Sequence, residues 1–450
     1  MNSFKNKAKS FLNGYYYPLL IFLTALMAHT FSLELLGAAI FFITATAGFI
    51  FCEDLKFLIS PLIMFILMFS QKSVASGIFF TKPYLIAIVC CAIYIIALFF
   101  AHFIIYKKLI NFKSFLKSKL FLGYILISVA FILNGFLNFD EYSFGNIVFA
   151  LALIGSFGVV FLIFNINLNS ENLVKYLFFV LYLVSLLVTL ELFFSFFNQI
   201  RIVNGEIVKE SILLGWGMWN NVGGMLSFLL PIHFYYASTT KKCGFLFYGS
   251  GMLSYLAIVL TLSRSSLLVS SLIIVACAII GCFYGENKKI NRIITLSVAI
   301  IGCVGIIVLW EKISGILGDY IARGFDDNGR FEIYKKGFKN FLSNPIFGGG
   351  FCSVEAQEHQ FISFLPDRYH NTIIQLLGAC GIFGLSAYLF HRYQTIKLLW
   401  QKRRLSVVFA FLCILSLLLT SMLDNHFFNI YPGFIYTLIL VTIEKSSCEK

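Results

Sequence analysis

Three short stretches hold the residues best suited to chemistry on a charged substrate. Thr261-Leu262-Ser263-Arg264-Ser265-Ser266 forms a tight break between two apolar runs. An arginine at a helix end often snorkels to lipid headgroups. Here, however, one guanidinium is flanked by small hydroxylated residues, with Ser263 beside it, a setting that can receive an anion. Gly329-Arg330-Phe331 opens a second polar stretch, where Arg330 reads either as a solvated charge or as another anion ligand. Tyr369-His370-Asn371 precedes a further apolar run. His370 would stand at a helix N-terminus, where unpaired N–H groups and the dipole favour anions. An imidazole kept neutral there can accept a proton near pH 7. Two arginines able to receive an anion and a histidine able to accept a proton are the chemistry these stretches offer.

Other polar residues are weaker candidates. Glu191 lies inside an apolar run, where an acid is expected to be functional and paired with a base; Arg264 is a candidate partner. Asp424 and His426 fall in a short turn and read more readily as ordinary loop residues than as a second proton acceptor. Asp326-Asp327-Asn328 offers two adjacent carboxylates without a third ligand, so no metal site is expected there. Of the eleven cysteines, none forms a CxxC pair, which argues against zinc or a disulfide framework. Cys352 is expected to be a thiol well outside the membrane.

The elements that position these residues must be membrane helices. Of 450 residues, 59% are hydrophobic, 18% aromatic and only 12% charged, and the mean hydropathy is +0.88. Soluble domains carry about 25% charged residues. A soluble enzyme, a nucleic-acid-binding domain and a disordered chain are excluded. The fold class is an all-α polytopic membrane protein. Apolar runs of about 17–23 residues place fourteen candidate helices near 15–31, 33–52, 57–71, 84–106, 120–138, 143–164, 176–196, 219–237, 244–262, 266–284, 293–310, 371–390, 405–423 and 427–443. The short first three and the 262–266 break allow twelve or thirteen spans instead. With the N-terminus inside, roughly two thirds of the Lys and Arg fall in cytoplasmic segments, the run from Arg392 to Arg404 among them. Both termini are then cytoplasmic, and the net charge of +13 reflects topology and not nucleic acid.

One connection is long. Residues 311–370 form an outer loop with 7 basic and 8 acidic residues. Phe331, Tyr334, Phe338, Phe341 and Leu342 recur at helical spacing from Arg330. Asn344-Pro345 ends that helix, and Gly348-Gly349-Gly350 follows as a turn. The helix is expected to lie along the membrane surface or cap the bundle.

These motifs in this order resemble the O-antigen ligase family, a pattern shared loosely with O-antigen polymerases. The resemblance rests on His370-Asn371, nine residues, Gly381, two residues, Gly384; on Thr-x-Ser-Arg at 261–264; on Gly-Arg at 329–330; and on Asn-Pro-x-x-Gly-x-Gly at 344–350. Asn221-x-x-Gly224 followed by Pro231 is similar to a further family feature. Together they cover about 215–390, which defines a catalytic region between N-terminal helices (1–214) and C-terminal helices (391–450).

The resemblance implies a metal-independent, inverting glycosyl transfer at the outer face of the bacterial cytoplasmic membrane, with no cofactor or nucleotide sugar. The donor is a glycan on undecaprenyl diphosphate. The acceptor is a hydroxyl of lipid A–core or of another lipid-linked repeat unit. Arg264 and Arg330 would neutralise the leaving diphosphate. His370 would take the acceptor proton or, alternatively, hydrogen-bond the diphosphate. Asn371, Asn221, Ser263, Gly349 and Glu191 would help to bind substrate. Membrane lipids and a chain-length regulator are the further partners. A flippase for lipid-linked oligosaccharide and a protein O-oligosaccharyltransferase are the competing readings. The absence of internal repeats and the gathering of polar residues on one face disfavour transport.

Overall fold

A computed structural model describes residues 2–70, 74, 81–106, 115–138, 144–168, 172–199, 202–203, 206–208, 211, 213–308, 310, 314, 329–352 and 369–446. The described residues are mostly helical. Its helices are α1 (Asn2–Leu12), α2 (Tyr16–Phe31), α3 (Glu34–Phe51), α4 (Lys82–Ile105), α5 (Phe121–Ile132), α6 (Phe144–Asn167), α7 (Leu173–Gln199), α8 (Trp219–Thr239), α9 (Gly244–Leu260), α10 (Arg264–Phe283), α11 (Lys288–Val308), α12 (Arg330–Ser343), α13 (Thr372–Gln401), α14 (Leu405–Leu423) and α15 (Ile430–Lys445).

Among the described residues each of the fourteen expected positions contains helix, but they differ in what they can span. Among the described residues, α3, α6, α7, α10, α13 and α14 are long and apolar enough to cross a membrane. The α1–α2 pair, bent by 66°, makes a seventh if the two helices form one span. The segment expected at 57–71 is a broken one, Leu55–Met68. It opens and closes in 3₁₀ turns, and Leu55, Phe57, Ile59, Ile63, Met64, Leu67 and Met68 are fully buried. One face fills the core beside α2, while Leu62, Phe65 and Ile66 stay exposed. The run expected at 120–138 stops as α5, because Gly135 turns at φ +65° and donates its N–H to the Phe347 carbonyl at 3.0 Å. A π-turn at Gly155–Val159 widens α6.

A layer of α7, α8 and α14 forms the centre. Val180, Val184, Leu187, Leu226, Phe228, Leu229, Leu230, Phe409 and Cys413 are all fully buried there. Burying a Leu, Val or Phe side chain contributes about 1.5–3 kcal/mol in water, but between lipid-facing helices close packing replaces that driving force. Small residues therefore mark the crossings. A Cβ on Gly251 of α9 would meet the Phe234 ring of α8 at 3.1 Å, and one on Gly281 of α10 would meet the Ser238 hydroxyl at 3.1 Å. Polar side chains within the layer satisfy one another. His233 bonds Ser250 and Ser185 through its two ring nitrogens, each at 2.9 Å.

The outer loop joins the bundle through a backbone exchange that accounts for the glycine pattern. α13 breaks at Gly381, whose φ is +64° and ψ −161°. The break frees carbonyls above it and N–H groups below it. Gly378 and Ala379 carbonyls accept from Gly349 and Gly350 N–H at 2.7 and 3.1 Å, while Ile382 and Phe383 N–H donate to Pro345 and Ile346 carbonyls at 2.9 and 3.2 Å. Residues 345–350 thus replace one turn of helix as bonding partners. A Cβ on Gly381 would lie 2.3 Å from the Ile346 carbonyl oxygen, and one on Gly348 would lie 2.4 Å from the Ala379 carbonyl carbon. The far end of the loop segment is held by two asparagines. Phe351 N–H donates to Asn134 Oδ1 at 3.1 Å and Cys352 N–H to Asn146 Oδ1 at 2.7 Å. Cys352 is buried in the core at 1% exposure, not set out in solvent as its place in the loop predicts. Gly381→Ala is expected to cost about 1–3 kcal/mol from its φ alone, with the clash added. A thermal midpoint in detergent equal to that of the parent protein would contradict the exchange as the reason for this glycine.

Candidate functional site

His370 is placed from three sides. Asn371 caps α13, its Oδ1 accepting from Ile373 and Ile374 N–H at 2.9 and 3.2 Å, and its Nδ2 donating to the Met422 carbonyl at 3.0 Å. Thr372 ties the same turn to Ser421 at 2.9 Å. Before it, Tyr369 is buried, with its N–H on Gln375 Oε1 at 3.1 Å and its hydroxyl accepting from Asn340 Nδ2 at 2.8 Å. His370 itself holds φ +50°, a left-handed backbone uncommon outside glycine. The surrounding bonds over-determine it. Replacing Asn371 by alanine removes the cap and the tie to α14. A loss of about 1 kcal/mol is expected from the cap; full thermal stability in that variant would count against this placement.

The decisive contact joins His370 to Asp424. Nδ1 lies 2.9 Å from Asp424 Oδ1, with the histidine side chain about a third exposed (32%) and the aspartate 10% exposed. Burial works to raise the Asp424 carboxyl. The hydrogen bond from His370, the adjacent His426 and the Asn425 N–H outweigh it and hold Asp424 well below the usual carboxylate range. Its contribution to stability is full above the unfolded-chain aspartate value and is lost as the pH falls toward the folded one. An ionised carboxylate only accepts, so Nδ1 is the donor, and in the neutral ring the lone pair is on Nε2. Asp424, set aside above as an ordinary loop residue, therefore fixes the tautomer of His370. Fifty-four residues separate them in the chain, and no local spacing points from one to the other.

The remaining candidates divide into those near this pair and those away from it. Asn221, in the first turn of α8, accepts from Asn429 Nδ2 at 3.1 Å, just past the turn that carries Asp424 and His426. Three residues on, a Cβ on Gly224 would lie 2.5 Å from the His426 ring. One on Gly223 would lie 2.9 Å from both Thr261 and Ser266 hydroxyls. The glycine pair thus sits between the His426 turn and the turn that leads into Arg264. In that turn Leu262 takes φ +54°, Ser263 N–H donates to Thr261 Oγ1 at 3.3 Å, and Ser263 Oγ donates to Ser266 Oγ at 3.0 Å. The hydroxyls stiffen the turn, and Arg264 is exposed in the first turn of α10.

Arg330 begins α12 after Gly329, whose φ is +75°. The helical repeat puts Arg330 on the face of Gly337 and Phe341. That face packs on α13, where a Cβ on Gly337 would lie 2.6 Å from Ile374 and 3.0 Å from Tyr369. α12 therefore runs beside the first turns of α13, and Arg330 lies two turns before that crossing. Gly349 stands behind the site, in the backbone exchange with α13, and not among its polar side chains.

Glu191 is not part of this cluster. It is fully buried in α7, accepts from Trp216 Nε1 at 3.0 Å and lies 4.0 Å from His29 Nδ1. Its hydrogen-bond partner is thus Trp216 and its near neighbour His29, not the Arg264 proposed from shared depth, because that arginine lies exposed on α10. Trp216 precedes the short strand Gly217–Met218 that leads into α8, so the carboxylate anchors the entry to Asn221. Asp326, Asp327 and Asn328 lie outside the described residues.

Residues 249–389 match the family model described as O-antigen ligase. The match starts in α9, takes in Ser263, Arg264, Arg330, Gly349, His370, Asn371 and both Gly381 and Gly384, and stops midway along α13. Asn221 and Asp424 lie beyond its two ends. A comparison with curated proteins found no match.

Proposed function

We propose that this chain, whose residues 249–389 match the O-antigen ligase family model, acts in polysaccharide biosynthesis at a membrane and transfers a glycan from undecaprenyl diphosphate to a sugar hydroxyl. The acceptor is lipid A–core or another lipid-linked repeat unit. The site opens on the outer face of the cytoplasmic membrane and both termini are cytoplasmic. The observation that carries the reading is the His370–Asp424 contact at 2.9 Å, beside the turn that leads into Arg264.

The acceptor hydroxyl attacks the anomeric carbon from the face opposite the diphosphate, and the configuration inverts. His370 Nε2 takes the hydroxyl proton as the new C–O bond forms. Asp424 holds the proton of the neutral ring on Nδ1, so that Nε2 is the acceptor, and balances the imidazolium afterwards, the logic of an oriented histidine base. The alternative in which His370 binds the diphosphate finds less support, because the Asp424 carboxylate would repel that anion. The electron pair of the breaking C–O bond stays on the diphosphate. Arg264 and Arg330 stabilise it there as planar donors whose charge is permanent at any working pH. With two fixed cations in that role, the reaction is metal-independent.

Reconstitution tests the proposal. The purified protein is given undecaprenyl-diphosphate-glycan and candidate acceptors, with and without a chelator. A new glycoside of inverted configuration, formed equally in both, is expected. Loss of transfer in chelator would replace the arginine account with a metal-dependent one, and donor crossing the bilayer without any glycoside would establish a flippase.

A further inference from the structure

Beneath the Asp424 turn lies a charge that the mechanism above does not use. Arg392 sits three turns past the Gly381 break in α13 and is only 7% exposed. Its topological reading as part of a cytoplasmic basic run does not hold, since its guanidinium is enclosed by rings. The guanidinium carbon lies 4.5 Å from the ring centre of Tyr388, 4.4 Å from that of Phe427 and 4.7 Å from that of Tyr436. Among the described residues no carboxylate pairs with it, and its three nitrogens make no hydrogen bond of normal geometry.

Taking a guanidinium out of water without an anion is costly, and stacked rings return only part of that cost. A methionine or leucine would fill the same space without the penalty, so packing alone does not explain an arginine here. What the charge grips is informative. Phe427 belongs to the 3₁₀ turn His426–Phe428. In that turn His426 N–H donates to the Asp424 carbonyl at 2.9 Å and Phe428 N–H to the Asn425 carbonyl at 3.1 Å. The turn and the carboxylate it presents are therefore one unit. Among the ring contacts of Phe427 the guanidinium is the nearest: Phe157 lies at 4.9 Å, Tyr388 at 5.3 Å, Phe428 at 5.5 Å and Tyr436 at 6.0 Å between centres.

We propose that Arg392 is a positioning residue for glycan transfer: it grips the Phe427 ring from inside the bundle and so holds the turn that sets Asp424 against His370. This rests on the reading of His370–Asp424 as the oriented base. The consequence is that a cation, and not merely bulk, is required at 392, and that its effect passes through Asp424.

The test is a double-mutant cycle in the full-length reconstituted protein, with turnover and donor KM measured separately. Arg392→Met is expected to keep the parent thermal midpoint and to lose about tenfold in kcat, with donor KM within about twofold. Arg392→Lys, which retains a cation over the rings, should recover to within about threefold of the parent. Once Asp424→Asn is present, adding Arg392→Met should lower kcat no further, whereas a general packing role would multiply the two losses. Parent-level kcat in Arg392→Met, or multiplying losses, overturns the proposal. If Arg392→Met does not fold, Phe427→Leu replaces it, with the same loss and the same lack of additivity expected and the same two results overturning it. An Asp424→Asn protein with parent activity overturns the reading of the site and this inference with it, while an impaired Asp424→Asn beside a normal Arg392→Met overturns only the role of Arg392.

Discussion

His370→Ala is expected to lower glycan transfer by about 10²–10⁴-fold, the usual worth of a positioned general base, while donor binding persists and lipid-linked donor accumulates. The argument runs through the tautomer. Asp424 lies 2.9 Å from Nδ1 and is held ionised by its hydrogen bonds, so the proton on the ring is fixed at Nδ1 and Nε2 is the acceptor. Asp424→Asn keeps the shape but can offer its own N–H to the ring, which favours the opposite tautomer. A loss that approaches that of His370→Ala is therefore expected although the histidine is still present. Transfer rates with a saturating donor, measured for both variants beside the parent, check this. If Asp424→Asn is fully active while His370→Ala is not, the histidine acts without its aspartate and the tautomer argument fails.

The second large effect belongs to the arginines. Removing one preorganised donor from a developing anion costs about 2.7–4 kcal/mol, or 10²–10³-fold in turnover, and Arg264→Ala and Arg330→Ala are each expected to lose that much with expression and insertion intact. Lysine is a poor substitute at either position. A diphosphate offers paired oxygens that a planar fork can bridge and a point charge cannot. Both alanine variants retaining parent activity would remove the diphosphate clamp from the mechanism. Loss in one alone would assign the role to that arginine.

Much of this was legible in the sequence because the membrane enforces simple rules. Helix positions follow from apolar runs, since every backbone group in lipid must be bonded within a helix. The capping role of Asn371 is consistent with its place between a polar loop and an apolar run. Spanning capacity was harder to read. Leu55–Met68 is as apolar as a span yet breaks into short turns, and α5 ends early because a distant carbonyl captures Gly135. The glycine spacing after His370 was visible as a pattern, but its cause was not. Gly381 matters because residues 345–350 take over a turn of hydrogen bonds, and a backbone exchange leaves no periodicity in side chains.

Long-range pairings were the least legible. Asp424 met His370 through the packing of α13 on α14, and a carboxylate in a three-residue polar turn looks the same in sequence whether or not a histidine awaits it. Glu191 was rightly singled out as a buried acid, but membrane depth alone matched it with Arg264 when Trp216 and His29 were its neighbours. Arg392 shows the same limit from the other side. A basic residue near a Lys/Arg-rich end counts as a topology signal until the rings around it are seen.

The central claim is that Arg264, Arg330 and His370 face one outward-opening site that holds the donor diphosphate. Single cysteines at these three positions, in a background free of the native cysteines, report on it through labelling by a membrane-impermeant thiol reagent in oriented vesicles. All three should label from the outer side, and a lipid-linked diphosphate donor should protect all three. Labelling of any one from the opposite side, or protection of none by the donor, would contradict the account.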